Sequence, residues 1–167
     1  LFTFDEELGT LGAKHFVDTF PQPASLPRHA IIGEPTELRA VRVHKGHLKL
    51  RVAFRGVTAH SGYPHLGVNA IEPAGRAIVA LAALRDRLRE ERGPASGHFP
   101  EVPFVALNLA QIRGGVAINV VPDHCALELG LRVLPGMTSE ELVNRVRATL
   151  EEALGAGTFM IEVTEDS

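Results

Sequence analysis

The sequence predicts an α+β protein, in which a ferredoxin-like βαββαβ unit follows a short piece of an α/β layer. Two observations carry this. From about residue 47 the apolar pattern alternates between strand and helix periods in the order strand, helix, strand, strand, helix, strand, the split βαβ arrangement. Before residue 40, two short apolar runs flank an amphipathic stretch, as they do in an α/β layer.

The elements follow in order. Residues 1–4 read as a short buried strand ending at Asp5-Glu6-Glu7, and Leu11, Phe16 and Val17 as a helix that Pro21 and Pro23 end. Ala30-Ile31-Ile32 reads as a second buried strand, ending at Gly33-Glu34-Pro35. Leu48, Leu50, Val52 and Phe54 alternate with Lys49, Arg51 and Arg55, the mark of a strand wet on one face. A loop with His60 and His65 leads to a helix with Ile71, Ala74, Ile78, Leu81 and Leu88 inward, broken at Gly93-Pro94. Val105, Leu107 and Leu109 begin a strand that runs to Gly114-Gly115, and Cys125 to Val133 give the next. Thr138 with Glu141 forms a capping box for a helix carrying Leu142, Val146, Leu150 and Leu154, which Gly155 stops before a last strand near Phe159. Both ends thus lie in strands, which predicts a piece of a longer chain.

Composition sets bounds. With 167 residues, 45% of them hydrophobic, the chain can bury a core. A net charge of -3 provides no field to gather nucleic acid or an anionic membrane, so neither is expected as a partner. The apolar runs are too short to span a bilayer. A single cysteine, Cys125, excludes an internal disulfide and makes the cytoplasm the expected compartment; its place in an apolar alternation marks a buried structural thiol.

Several residues could carry chemistry. Neighbouring side chains of a strand point opposite ways, so Glu6 and Glu7 could divide the tasks of binding a cation and taking a proton from water. Glu34 ends the second strand, on the edge of an α/β sheet where ligands collect. Taken by themselves, these residues are more often an ordinary acidic turn or loop. His60, in a loop beside Ser61 and Gly62, could donate to a developing oxyanion or simply face solvent. Asn119 and Arg132 could together grip a carboxylate, or Arg132 could be a solvated strand residue. The phosphate-binding glycine motifs, a CxxC pair, a nucleophile elbow and the paired-histidine helix of zinc proteases are all missing from the sequence.

In order along the chain, TFDEELGTLGAKHFV, IIGEPTELRAVRVHKGH, GVTAHSGYPHLGVNAI, LNLAQIRGGVAIN and LGLRVLPGMTSEEL resemble segments of one family. It is the acetylornithine deacetylase and succinyl-diaminopimelate desuccinylase family of metal-dependent aminoacylases and carboxypeptidases. The resemblance implies a partial catalytic domain over residues 1–42, a lid or dimerisation domain over 43–157, and a last lid strand returning towards the catalytic domain over 158–167. It implies that Glu6 is the general base, that Glu7 and Glu34 each bind one metal of a dinuclear zinc centre (cobalt being an alternative), and that His60 donates to the oxyanion in a partner subunit's site. Asn119 and Arg132 are implied to hold the carboxylate of a small N-acyl amino acid. The expected reaction is hydrolysis of the amide of N-acetylornithine, in arginine biosynthesis, by a homodimer joined through the lid. The family's His-x-Asp segment and its last ligand histidine have no counterpart in the sequence, so the chain alone is expected to be inactive. Another acyl group, as in a desuccinylase, and a dimerisation module without chemistry of its own are the alternatives.

Overall fold

A computed structural model describes residues 2–6, 10–20, 29, 31–33, 36–93 and 95–166. The chain forms two compact units, 1–42 and 43–167.

In the first unit the helix α1 spans Leu11–Thr19. Gly12 is buried because the Phe4 backbone lies against it: the Gly12 N–H donates to the Phe4 carbonyl at 3.0 Å, and an added Cβ would sit 2.4 Å from the Phe4 nitrogen. The two flanking strands expected at 1–4 and 30–32 are corrected here. Residues 2–4 and 31–32 are not in strands, and Phe2 and Ile31 are fully exposed. A strand apolar on both faces needs neighbours for its backbone groups and side chains, and among the described residues every strand ladder lies in the second unit.

The second unit contains β1 (Gly46–Arg55), β2 (Ala59–His60), α2 (Ile71–Glu90), β3 (Ala106–Gly114), β4 (Val120–Val121), β5 (His124–Val133), α3 (Ser139–Leu154) and β6 (Phe159–Asp166). Four strands form one sheet in the order β3-β5-β1-β6, every neighbouring pair antiparallel. With α2 and α3 as the crossovers, this is the ferredoxin-like arrangement the apolar periods predicted. Leu48, Leu50, Val52 and Phe54 of β1 are buried, as are Leu127, Leu129 and Leu131 of β5. Opposite them lie Ala74, Ala77, Leu81, Leu84 and Leu88 of α2, at alternating steps of three and four, and Leu142, Val146 and Leu150 of α3. Full burial of each such leucine contributes about 1.5–3 kcal/mol. The other sheet face remains polar, with Lys49, Arg51, Arg55 and Arg132 exposed.

Local chemistry fixes the ends. The capping box is present: Thr138 Oγ1 accepts from the Glu141 N–H at 3.2 Å, and Glu141 Oε2 accepts from the Thr138 N–H at 2.9 Å. Gly155, at φ 87°, ends α3 in a conformation that favours glycine. Arg145 of α3 clasps Glu91, just past α2, with two hydrogen bonds of 2.7 and 2.5 Å. Lys45, at the entry to β1, donates to the carbonyls of Val102 (2.6 Å) and Phe104 (2.8 Å), tying the long excursion after α2 back to the sheet. Burial pulls the Lys45 ammonium below its ordinary pKa. No helix among the described residues is long and apolar enough to cross a membrane.

Candidate functional site

The loop carrying His60 is pinned by backbone pairing to a segment sixty residues away in sequence. After β1, the Gly56 N–H donates to the Asp123 carbonyl at 2.7 Å. Val57 and Val68 then exchange both hydrogen bonds, at 2.9 and 2.8 Å. β2 pairs antiparallel with β4, Ala59 opposite Val121 and His60 opposite Val120. One residue on, the Ser61 N–H donates to the Asn119 carbonyl at 2.9 Å. The structure therefore brings together His60 and Asn119, two residues the sequence nominated separately.

The segment before Asn119 owes its path to two glycines with different tasks. Gly114 lies against Cys125, where an added Cβ would be 2.8 Å from Sγ. Gly115 has φ 74°, which turns the chain out of β3. Cys125 is buried, and burial pushes its thiol pKa up, as befits a structural thiol. A cavity of about 630 Å³ opens here, bounded by Ser61, Pro64, Asn69, Ile71, Gly115 and Ile118. Its floor is the first turn of α2, where Asn69 Oδ1 accepts from the Ile71 N–H at 2.9 Å. Ile71, expected in the core, instead lines this cavity at 38% exposure. Asn69 was missed in the sequence; an Asn just ahead of a helix is the signal that could have found it.

Within the ring of His60 one nitrogen is already committed. Nδ1 accepts a hydrogen bond from the Gly62 N–H at 3.0 Å, while the Tyr63 N–H holds the His60 carbonyl at 2.8 Å. The Tyr63 ring lies 6.2 Å from the imidazole, tilted by 58°.

Arg132 lies elsewhere. It stands opposite His47 of β1 and Ala106 of β3, near the far end of β5 from His124. Arg132 lies eight steps along the strand from His124, roughly 26 Å at about 3.3 Å per residue. Around it lies a charged cluster. Lys49 hydrogen-bonds Glu165 and holds that carboxyl below its usual range, with Arg132 adding a smaller effect. His47 Nδ1 is 3.4 Å from Glu165, yet the imidazole pKa is lowered, by burial first and then by Arg132 and Lys49 against the pull of Glu165. We therefore read the His47–Glu165 contact as one between a neutral ring and a carboxylate at neutral pH.

Glu6 is exposed, with its carbonyl accepting from the Thr10 N–H at 3.0 Å as the chain turns into α1. Glu7 and Glu34 lie outside the described residues. Among the described residues no group of three or more His, Cys, Asp or Glu side chains could hold a metal ion.

A four-stranded antiparallel sheet covered on one face by two helices, with a histidine loop at one end, defines a small ferredoxin-like α+β domain. A family model described as a peptidase dimerisation domain matches residues 42–158, and the chain belongs to that family. An acetylornithine deacetylase from Vibrio atlanticus is 40% identical over 98% of this chain, and one from Vibrio cholerae is 42% identical over 91%. The chain spans 42% and 39% of the lengths of these relatives. Among solved structures, the aminobenzoyl-glutamate utilization protein of Klebsiella pneumoniae matches with a TM-score of 0.56 at 22% identity, covering 74% of this chain and 29% of that one. The dipeptidase Dug1p of Saccharomyces cerevisiae gives 0.53 at 13% identity, covering 74% and 36%. At these identities the two structures speak for the fold alone.

Proposed function

We propose that the chain is the lid-bearing part of a metal-dependent amide hydrolase acting on N-acetylornithine, working as a homodimer. The β2–β4 pairing, continued by the Ser61 N–H bond to the Asn119 carbonyl, brings His60 near Asn119 and carries the reading, and the 40% identity to an acetylornithine deacetylase over 98% of the chain supports it. Glu6 takes a proton from the attacking water and returns it to the leaving amine. His60 donates to the oxygen on which negative charge develops, and Asn119 and Arg132 receive the substrate's carboxylate.

The described residues do not by themselves form a metal site, so no step of the reaction is drawn through a metal here. In a full-length enzyme a zinc or cobalt pair would supply Lewis acidity and an activated water, with Glu7 and Glu34 among its ligands. The chain alone is expected to be inactive.

The separation along β5 shapes the proposal. A carboxylate cannot touch Asn119 and Arg132 of one lid, since roughly 26 Å of strand lies between the two regions. It can touch Asn119 of one copy and Arg132 of another. We therefore assign Arg132 to one copy's contribution to a site, and His60 with Asn119 to the other copy's contribution to that site. Of the two edge strands, β6 carries Glu162, Glu165 and Asp166, whereas β3 carries no acidic residue. An acidic edge repels its own copy, so β3 is the edge assigned to dimer contact.

Mixed dimers test this. Full-length enzyme carrying this segment is made with His60→Ala, with Arg132→Ala, and as a co-expressed mixture. Each single variant should lose acetylornithine hydrolysis, and the mixture should regain it, because one site per mixed dimer then has both residues. Failure of the mixture to recover while dimers form would place all the residues in one copy's site. Activity of wild type on none of a panel of N-acyl amino acids would sink the hydrolase reading itself.

A further inference from the structure

The His60 ring is held by a backbone donor, and a donor of that kind has only one way to bond. An amide N–H gives a proton and cannot accept one, so the Nδ1 atom 3.0 Å from the Gly62 nitrogen must present a lone pair. A neutral imidazole with a lone pair on Nδ1 carries its hydrogen on Nε2. The two nitrogens lie on different edges of the ring. With Nδ1 turned to its own loop, Nε2–H faces away from it, and no described residue hydrogen-bonds that atom.

We propose that the Gly62 N–H fixes His60 as the Nε2–H tautomer and so makes it a preset hydrogen-bond donor, with Gly62 as the positioning residue. The backbone on either side is fixed as well: His60 pairs with Val120, Ser61 with the Asn119 carbonyl, and Tyr63 with the His60 carbonyl. The ring is thus aimed by a loop whose turns are all closed by main-chain bonds. The side chain at 62 matters too. A Cβ there would lie 3.1 Å from Nδ1, tighter than the ring accepts without moving. Glycine at 62 serves close approach, because it brings an N–H up to an imidazole edge with nothing in between. His65, in the same loop, has no donor to its ring among the described residues and provides the internal comparison.

This deepens the assignment of His60 as oxyanion donor and rests on it for its catalytic meaning, but the tautomer can be read without any activity. The 167-residue chain is labelled with ¹⁵N-histidine, and long-range proton–nitrogen correlations are recorded at a pH where the rings are neutral. Wild-type His60 should show the Nε2–H form alone, whereas His65 shows the averaged mixture of a free imidazole. Gly62→Ala crowds the ring and Gly62→Pro removes the donor, and both should return His60 towards the His65 pattern. Because Pro can disturb the turn, the wild-type spectrum and the Ala variant decide. An Nδ1–H form in wild type, or a His60 pattern that neither variant shifts, overturns the proposal.

The catalytic half is then read in full-length enzyme carrying this segment. Removing an oxyanion donor costs on the order of 100-fold in kcat, which sets the loss for His60→Ala. Gly62→Ala should lose about tenfold in kcat with KM little changed, and nothing further in the His60→Ala background, because it acts through that ring. Should the tautomer shift as stated while kcat stays at wild type, the role of His60 in the proposed hydrolysis is what fails. Additive losses in the double variant would show Gly62 acting by another route and would overturn its role as a positioning residue.

Discussion

Replacing Gly56 with alanine adds one methyl group where three backbone segments meet, and its cost can be worked out. The new Cβ would sit 2.0 Å from the Val68 carbonyl oxygen, 3.0 Å from that of Pro122 and 3.1 Å from the Ala70 nitrogen. None of these is the end of a flexible side chain, so rotation of a neighbour cannot relieve the contact. The cheapest escape moves the 68–70 segment outward. That breaks the Val57–Val68 pair, at 2.9 and 2.8 Å, and the Ala70 N–H bond to Pro122, at 2.9 Å. Each lost backbone bond costs about 1 kcal/mol net, giving about 3 kcal/mol. Holding the loop in place instead incurs overpacking of 1–3 kcal/mol or more; a 2.0 Å approach to a carbonyl belongs at or beyond the top of that range. We expect Gly56→Ala to lower the unfolding free energy by about 3 kcal/mol, measured by urea denaturation of the 167-residue chain. Hydrogen exchange locates the damage: the Val57, Val68 and Ala70 amides should lose protection beyond the global change, while Leu50 and Leu129 follow global unfolding alone. A cost below about 1 kcal/mol with loop protection intact would show that the Gly56 crossing is not rigid and does not pin the His60 loop.

Two further outcomes are expected. Thr138→Ala removes half of the capping box and should cost about 1 kcal/mol, seen as a lower urea midpoint with an unchanged m-value. For pH, His47 has its pKa held below the ordinary 6.5, so the unfolded chain binds that proton more strongly than the folded one. Its contribution is complete above pH 6.5 and is lost as pH falls towards the lowered folded value. Glu91 and Glu165, held low first by hydrogen bonds from Arg145 and Lys49, add a second loss as pH falls below their ordinary 4.5. His47→Gln should flatten the first part of the stability–pH curve and leave the second; a curve unaltered by it would refute the lowered pKa.

Much of the lid was legible because its burial is written in the order of its residues. The alternation from Leu48 to Phe54 and the Thr138–Glu141 pair each specify one local structure, and each formed. β2 and β4 could not be found that way, since strands of two residues have no period to display. Their pairing depends on the Gly56 crossing and the Gly115 turn, which are tertiary facts. Ile71 extends the apolar pattern of α2 by one step, but the pattern cannot say where burial stops. The runs at 1–4 and 30–32 are apolar enough for strands, yet hydrophobicity supplies no partner for a backbone. For the site, residue types suggested His60, Asn119 and Arg132, and only the antiparallel ladder shows that the first two are neighbours while the third is not.

The ladder also has a mechanical consequence. β1 runs ten residues without a break, from Gly46 to Arg55, and leads directly into the His60 loop. At about 3.3 Å per residue it is a stiff arm roughly 30 Å long, braced along its length by β5 and from Leu48 to Phe54 by β6. Its two ends therefore cannot shift independently: the Lys45 clamp on the Val102 and Phe104 carbonyls and the His60 loop are held at a fixed separation by the sheet between them.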